Sequence, residues 1–244
     1  MKKLIVLSLV LLFFGNTDSK AQSYQERVKE YVRQYYPLAL KNQIKYNIPA
    51  SITLAQGILE SNAGKGMLAD SANNHFGIKC KDQWLGMVFY KEDDDVDSLG
   101  NLMSSCFRKY DSAEESFNDH SEFLKSNPRY APLFELKGYD YVAWATGLKQ
   151  CGYATAANYS KSLIDLIERL DLFVFDKIDL TKTSNPYAVY QSYVFAESIR
   201  KLPESTDTDN IPDVVKLPDY YHGLFPVDEN KSITGNVSVP IKEK

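Results

Sequence analysis

The sequence predicts a mainly α-helical protein with a small β-containing lobe and a C-terminal extension of different character. Three observations lead there. Apolar residues recur at helical spacing from Tyr24 to Ser61 and again from Ser112 to Leu170. Over residues 73–110 that spacing gives way to short apolar runs separated by Gly and charged residues. Beyond Asp176, Pro and Asp recur and the periodicity weakens. The 244 residues are 44% hydrophobic and 25% charged, with a formal charge of −4 and a mean hydropathy of −0.35. This balance excludes a multi-span membrane protein and a fully disordered chain. It also lacks the basic excess of a nucleic-acid binder.

Residues 1–21 read as a cleaved secretory signal. Lys2 and Lys3 form a positive start, and Leu4 to Phe14 is an apolar run too short for a spanning helix of about 20 residues. Ser19 and Ala21 put small residues at the two positions that matter for cleavage, and the absence of Cys from this stretch excludes a lipid-modified signal. No transmembrane segment is expected after cleavage, so the protein is read as exported, to the periplasm or beyond the cell, and as a monomer. Export favours thiol pairing. Cys80 and Cys106 flank a stretch rich in charge and Gly that a bridge would staple, and Cys151 is left over; the alternative is three reduced thiols. No CxxC motif occurs and His75, His120 and His222 are the only histidines, so no metal site is expected.

The first helix is expected over Tyr24–Lys45, with Val28, Val32, Tyr35 and Tyr36 and then Leu38, Leu40 and Ile44 on its apolar stripe. Pro49 suits the start of a second helix, where a missing N–H does no harm. That helix carries Ile52, Ala55 and Leu59 on one face and stops at Gly64 and Gly66. Phe76–Lys79, Met87–Tyr90 and Cys106–Tyr110 read as short strands, with the acidic run Glu92–Asp95 between the last two. Ser112 followed by Glu115 is a capping box that opens another helix. Helices are expected again over Tyr139–Leu148 and Tyr159–Leu170, closing a core unit of residues 22–176. Residues 177–244 read as a partly disordered extension with one helix over Tyr187–Ile199.

Glu60 is the residue with the clearest chemical promise. It sits in the last turn of an apolar helix, where the macrodipole and desolvation both disfavour a charged carboxylate. A carboxylic acid that keeps its proton near neutral pH can act as a general acid. Placement alone favours a solvated glutamate at a helix end, which is common. The acidic run likewise fits either a solvated loop or a source of catalytic carboxylate.

The order and spacing of five blocks resemble the glucosaminidase family of lysozyme-like endo-β-N-acetylglucosaminidases, found in flagellar peptidoglycan hydrolases and autolysins. The blocks are Ala55–Ser61 with Gly64-Lys65-Gly66, Asn73–Lys79, Cys106–Tyr110, Gly152–Thr155 and Asn158-Tyr159, and the resemblance covers about residues 30–172. It implies a lysozyme-like α+β fold with a groove between a helical body and a small β lobe. It implies that Glu60 is the catalytic acid and that Asn74, Phe76, Tyr153 and Tyr159 line the groove, the tyrosines stacking on sugars or bonding through their hydroxyls. A second carboxylate would lie roughly 5–10 Å away across the bond. Asp94 is the leading candidate, with Asp93 and Glu92 as alternatives, unless the substrate's own N-acetyl group assists instead. The implied function is an exported hydrolase cutting β-1,4 bonds of peptidoglycan after N-acetylglucosamine, with no cofactor. A lytic transglycosylase on the same fold and a non-catalytic wall-binding module are the alternatives. The phosphate-loop, HExxH and GxSxG frames are missing.

Overall fold

The computed structural model describes residues 17–81, 84–96, 100 and 102–200, with side chains from Tyr24 and excluding 94–96 and 196–200. The chain runs α1 (Thr17–Tyr46), α2 (Ala50–Glu60), α3 (Met67–Ala72), β1 (Val88–Val96), β2 (Leu102–Arg108), α4 (Ala113–Ser126), α5 (Tyr141–Gln150), α6 (Tyr159–Arg169) and α7 (Pro186–Arg200). Two 3₁₀ segments, Pro128–Glu135 and Leu172–Lys177, fall among the later helices. Among the described residues no helix is long and apolar enough to cross a membrane. The apolar run 4–14 lies outside the described residues, and α1 passes through the expected cleavage point after Ala21.

The core is organised around α2. Its residues Ala50 to Ile58 are all buried, so the helix is surrounded on every side. α1, α6 and the 172–177 segment pack against it. Its amino end has Pro49 at the capping position and no capping side chain of its own. Two side chains from elsewhere satisfy the free N–H groups: Gln43 accepts from Ala50 N at 2.7 Å and Asp176 accepts from Ser51 N at 2.8 Å.

The carboxyl end of α2 turns sharply. Ser61 caps it, and Asn62, Ala63 and Gly64 follow with φ of 51°, 51° and 78°. Three successive left-handed residues, two of them non-glycine, make a costly turn. Backbone bonds hold it: Ala63 N donates to Ile58 O at 2.9 Å and Gly66 N to Ser61 O at 2.7 Å.

Among the described residues the β lobe is a single antiparallel pair, with Phe89 opposite Phe107 and Tyr90 opposite Cys106. This corrects two expectations. Phe76–Lys79 is not a strand; it makes only an isolated bridge from Lys79 to Phe107. His75 and Phe76 turn into the core there, and the Asn74 carboxamide takes the bonds a strand ladder would have made. The acidic run is not a loop between strands, since β1 continues through it to Val96. Cys80 and Cys106 are joined in a disulfide that ties the segment before β1 to β2, and Cys151 is a free thiol.

The helical half follows the sequence closely. Ser112 accepts from Glu115 N at 3.3 Å at the head of α4, while the Glu115 carboxylate reaches back to Asp111 N at 3.1 Å, one residue earlier than the ideal box. The boundary expected at Asp176 falls within packed structure. Tyr187 of α7 is buried, stacks on Tyr36 at 5.1 Å, and Tyr190 stacks on Phe175 at 4.4 Å. The apolar early turns of α7 cover α1 and the 172–177 segment, so the folded unit includes the helix expected in the extension. Residues 201–244 lie outside the described residues.

Candidate active site

Glu60 is where the dry central helix meets solvent. The residues before Leu59 are buried, whereas Leu59 and Glu60 are exposed. Exposure does not mean open water around the carboxylate. Protein crowds it on most sides while one side stays accessible, and this desolvation raises its pKa above the ordinary carboxylate value. A hydrogen bond from Tyr159 pulls in the opposite direction. The net direction, upward, is the one a general acid requires.

The Tyr159 hydroxyl donates to Glu60 Oε1 at 3.0 Å and accepts from Gln56 Nε2 at 3.0 Å. Gln56 and Glu60 are four residues apart on α2 and so share a face. Tyr159 opens α6 and is 4% exposed, its pKa pushed up by burial, with the Glu60 charge adding to it. Tyr153 stacks on Tyr159 at 5.7 Å with an angle of 24° between the rings. The loop that carries Tyr153 is pinned by Lys149, which donates to the carbonyls of Ala154 at 3.1 Å and Thr155 at 2.8 Å. Arg129 holds the carbonyl of Gly152 at 3.1 Å.

The other expected site residues are placed differently. Asn74 is 1% exposed, and its carboxamide is committed to backbone: Nδ2 donates to Ile78 O at 3.0 Å and Arg108 O at 2.8 Å, and Oδ1 accepts from Ile78 N at 3.1 Å. It fastens the 74–78 turn to β2 and has no donor left for a sugar. Phe76 is also a core residue, stacked on His120 at 3.9 Å and edge-on to Phe117 at 4.9 Å. Both side chains are held in the packed interior and present no exposed face.

The acidic strand separates its candidates by face. Side chains alternate along a strand. Phe89, Lys91 and Asp93 share the face of buried Phe107 and Ser105, toward the body. Val88, Tyr90 and Glu92 point outward, with Tyr90 exposed. Asp93 pairs with Lys79 at 2.7 Å, and Glu92 is exposed. The side chain of Asp94 lies outside the described residues.

Sequence reasoning gave no role to Gln56, although it lies in the same block as Glu60. It also missed a brace between β2 and α4, in which Arg108 meets both carboxylate oxygens of Asp119 at 2.8 Å and Tyr110 donates to Asp119 at 2.6 Å. Two shallow concavities lie away from the Glu60–Tyr159 pair. One, of about 460 Å³, runs between α5 and the 128–135 segment, and the other, of about 260 Å³, lies beside Leu59 and Tyr24. Among the described residues no group of three or more His, Cys, Asp or Glu side chains is arranged to hold a metal ion.

Comparison with known proteins points to one family. Residues 36–172 match the Glucosaminidase family, described as mannosyl-glycoprotein endo-beta-N-acetylglucosaminidase. Exo-glucosaminidase LytG of Bacillus subtilis is 32% identical over 188 residues, covering 72% of this chain and 65% of that protein. Peptidoglycan hydrolase FlgJ of Vibrio parahaemolyticus is 29% identical over 147 residues, covering 59% of this chain and 47% of that protein. The chain thus spans less than two thirds of the length of these relatives. The crystal structure of a peptidoglycan hydrolase from Sphingomonas sp. A1 superposes with a TM-score of 0.51 at 29% identity, covering 59% of this chain and 89% of that one.

Proposed function

The chain belongs to the Glucosaminidase family, and from that premise we propose that it is an exported glycoside hydrolase that cuts β-1,4 bonds of peptidoglycan after N-acetylglucosamine, with Glu60 as general acid. The observation that carries this reading is the Glu60 carboxylate itself. It ends a helix buried from Ala50 to Ile58, reaches solvent on one side, is hydrogen-bonded by Tyr159, and has its pKa raised by desolvation. The named activities of the relatives, an exo-glucosaminidase and peptidoglycan hydrolases, support the substrate class.

In this mechanism protonated Glu60 gives its proton to the glycosidic oxygen as the bond breaks. Positive charge builds on the sugar ring and is stabilised by a carboxylate of the β lobe or by the substrate's acetamido oxygen. Asp94, the leading candidate from sequence, and Asp93, on the inward face of β1, are the residues proposed for the carboxylate role. Glu92 points outward and is the weaker alternative. Half-buried Tyr153 is the aromatic face proposed for the glycan, with buried Tyr159 stacked behind it and bonded to Glu60. Residues 1–21 act as the export signal, and the helical body with its β lobe is the catalytic unit.

The test is Glu60→Gln, assayed by clearing of a cell-wall suspension and by mass spectrometry of the products. The wild type is expected to release new reducing N-acetylglucosamine ends, and the variant to release none while keeping its fold. Anhydro-muramic ends would replace hydrolysis with transglycosylation on the same acid. Release of single sugars from chain ends would make the cut exo. Clearing by the variant at the wild-type rate would remove Glu60 from the mechanism. Parallel Asp93→Asn, Asp94→Asn and Glu92→Gln variants identify the second carboxylate by which one loses turnover.

A further inference from the structure

We infer that Gln56 is a positioning residue of the reaction: its carboxamide orients the Tyr159 hydroxyl toward Glu60 Oε1, so that Glu60 Oε2 is the oxygen that carries and delivers the acid proton. The inference rests on Glu60 being the general acid.

The direction of the chain follows from the donor inventory. A phenol has one proton to give and lone pairs to receive. Gln56 Nε2 lies 3.0 Å from the Tyr159 oxygen and can only donate to it. With that lone pair taken, the Tyr159 proton goes to its other neighbour, Glu60 Oε1, at 3.0 Å. The sequence of bonds is therefore one-way, from amide to phenol to carboxylate. Turning the Gln56 amide over would present its oxygen to Tyr159. The phenol would then donate to Gln56, and Glu60 would lose its bond.

Three features hold this arrangement. Gln56 is fully buried on α2, so water does not compete for its donor. Tyr159 is buried and its phenol stays protonated, because burial pushes its pKa up. Gln56 Oε1 is buried with no hydrogen-bond partner among the described residues. A glutamine serving packing alone would gain nothing from that orphaned acceptor, whereas one serving through its donor end leaves the acceptor over as a consequence.

The consequence for chemistry is twofold. A hydrogen bond to the charged form of an acid favours that form, so the chain restrains the rise that desolvation imposes on Glu60. It also makes Oε1 the less basic of the two oxygens. The proton then resides on Oε2, away from Tyr159.

The test uses the full chain and compares Gln56→Met, which keeps length without a donor, with Tyr159→Phe and with the double variant. The readout is kcat/KM against pH on a soluble glycan preparation. Activity falls at high pH as Glu60 loses its proton. Gln56→Met is expected to move that alkaline limb upward by about half to one pH unit, with Tyr159→Phe moving it at least as far. The double variant is expected to match Tyr159→Phe alone, since Gln56 acts only through the phenol. An unmoved limb in Gln56→Met, or shifts that add in the double variant, would overturn the inference. A second measurement avoids any folding defect at the buried site. In the wild type the Gln56 side-chain ¹⁵N resonance should follow the Glu60 titration, and in Tyr159→Phe it should stop doing so. A Gln56 resonance indifferent to that titration in the wild type likewise overturns it. Failure here is separable from failure of the proposed function: if Glu60→Gln is inert, the acid assignment stands even when the Gln56 result is negative.

Discussion

Asp176 accepts two hydrogen bonds from Ser51, from the backbone N at 2.8 Å and from the hydroxyl at 2.6 Å, and so anchors the start of the helix whose last residue is Glu60. A carboxyl 125 residues further along the chain thus does the capping that Pro49 cannot. The arrangement has a titration attached. Burial pushes the Asp176 carboxyl up to about 7, against the pull of its bonds from Ser51. In the unfolded chain the same carboxyl titrates near the ordinary value of about 4.

Between those two values the native state holds a proton that the unfolded state has released. The contribution of Asp176 to stability is therefore fully present below about pH 4 and lost as pH rises to about 7, with a slope approaching 1.4 kcal/mol per pH unit. His75 and His120 act in the opposite sense. Burial lowers them to about 4 and about 3, so the unfolded chain takes up more protons below about pH 6.5 and stability falls on acidification. In the wild type these effects partly offset one another. Asp176→Asn keeps an acceptor for Ser51 N and removes the titration. Urea melts from pH 4.5 to 7 are expected to show the variant losing stability more steeply toward acid than the wild type. Parallel curves would mean that Asp176 does not titrate in this range.

A second prediction concerns the brace between the β lobe and the body. Asp119 receives both Arg108 and Tyr110, and the Arg108 guanidinium also lies over the Trp84 ring at 4.7 Å. Removing the carboxylate leaves a partly buried cation and a buried phenol without their partner. Asp119→Ala should cost about 2–4 kcal/mol. The loss should be local, with amide hydrogen exchange accelerating first across β1 and β2. Turnover should fall with it, because the lobe would no longer be held against the helical body. Exchange that rises uniformly over all helices would argue against a local brace.

What the sequence made legible follows from the physics of each element. Helices α2, α4, α5 and α6 announce themselves because burial and the 3.6-residue period coincide in residues such as Ile52, Phe117, Leu148 and Leu163. Glu60 stood out as the charged residue closing an apolar helix. The roles of Asn74 and Phe76 were not legible. A family block records which residues recur in order, and it does not separate those that touch substrate from those that support the wall behind it. Gln56 was hidden for a related reason: its partner Tyr159 lies 103 residues away, and no local pattern encodes the meeting. The run Glu92–Asp95 looked like a loop because charge density outweighed strand propensity there. The pairing of Glu92 with Ser104 across the ladder overrides that preference.

The disulfide makes a third prediction. Cys80 and Cys106 close a loop with a sequence separation of 26, and that loop holds β1. By chain entropy such a closure stabilises the folded state by about 3.5 kcal/mol. Its bond to β2 is supplemented by Cys80 N donating to Cys106 O at 2.9 Å and Arg108 N to Ile78 O at 3.0 Å. Reduction, or Cys80→Ser with Cys106→Ser, should lower the melting temperature while leaving the helical far-UV signal at low temperature intact. A reduced protein that melts with the oxidised one would show that the loop gains nothing from the bridge.

Gly57 carries the last prediction, and it tests the packing of α2 against Tyr31 of α1. A Cβ at this position would overlap the Tyr31 hydroxyl and lie 3.2 Å from Tyr31 Cζ and 3.3 Å from Cε1. Tyr31 cannot step aside cheaply. It is 2% exposed, packs on Tyr35 at 4.5 Å, and shares a 3.0 Å hydrogen bond with His75 Nδ1. Its ring also faces Gly64, where a Cβ would come within 3.3 Å, so one aromatic side chain fills the space left by both glycines around the turn after Glu60. Gly57→Ala gains about 1 kcal/mol in helix propensity. It loses more to overpacking, typically 1–3 kcal/mol, and to the broken Tyr31–His75 bond. The net expectation is a destabilised protein, although Gly→Ala within a helix usually does the reverse. Tyr31→Phe in the Gly57→Ala background should recover part of the loss, since it removes the atom that clashes. Equal melting temperatures for Gly57→Ala and the wild type would mean that α2 can move away from α1, and that the wall behind Glu60 is softer than its packing indicates.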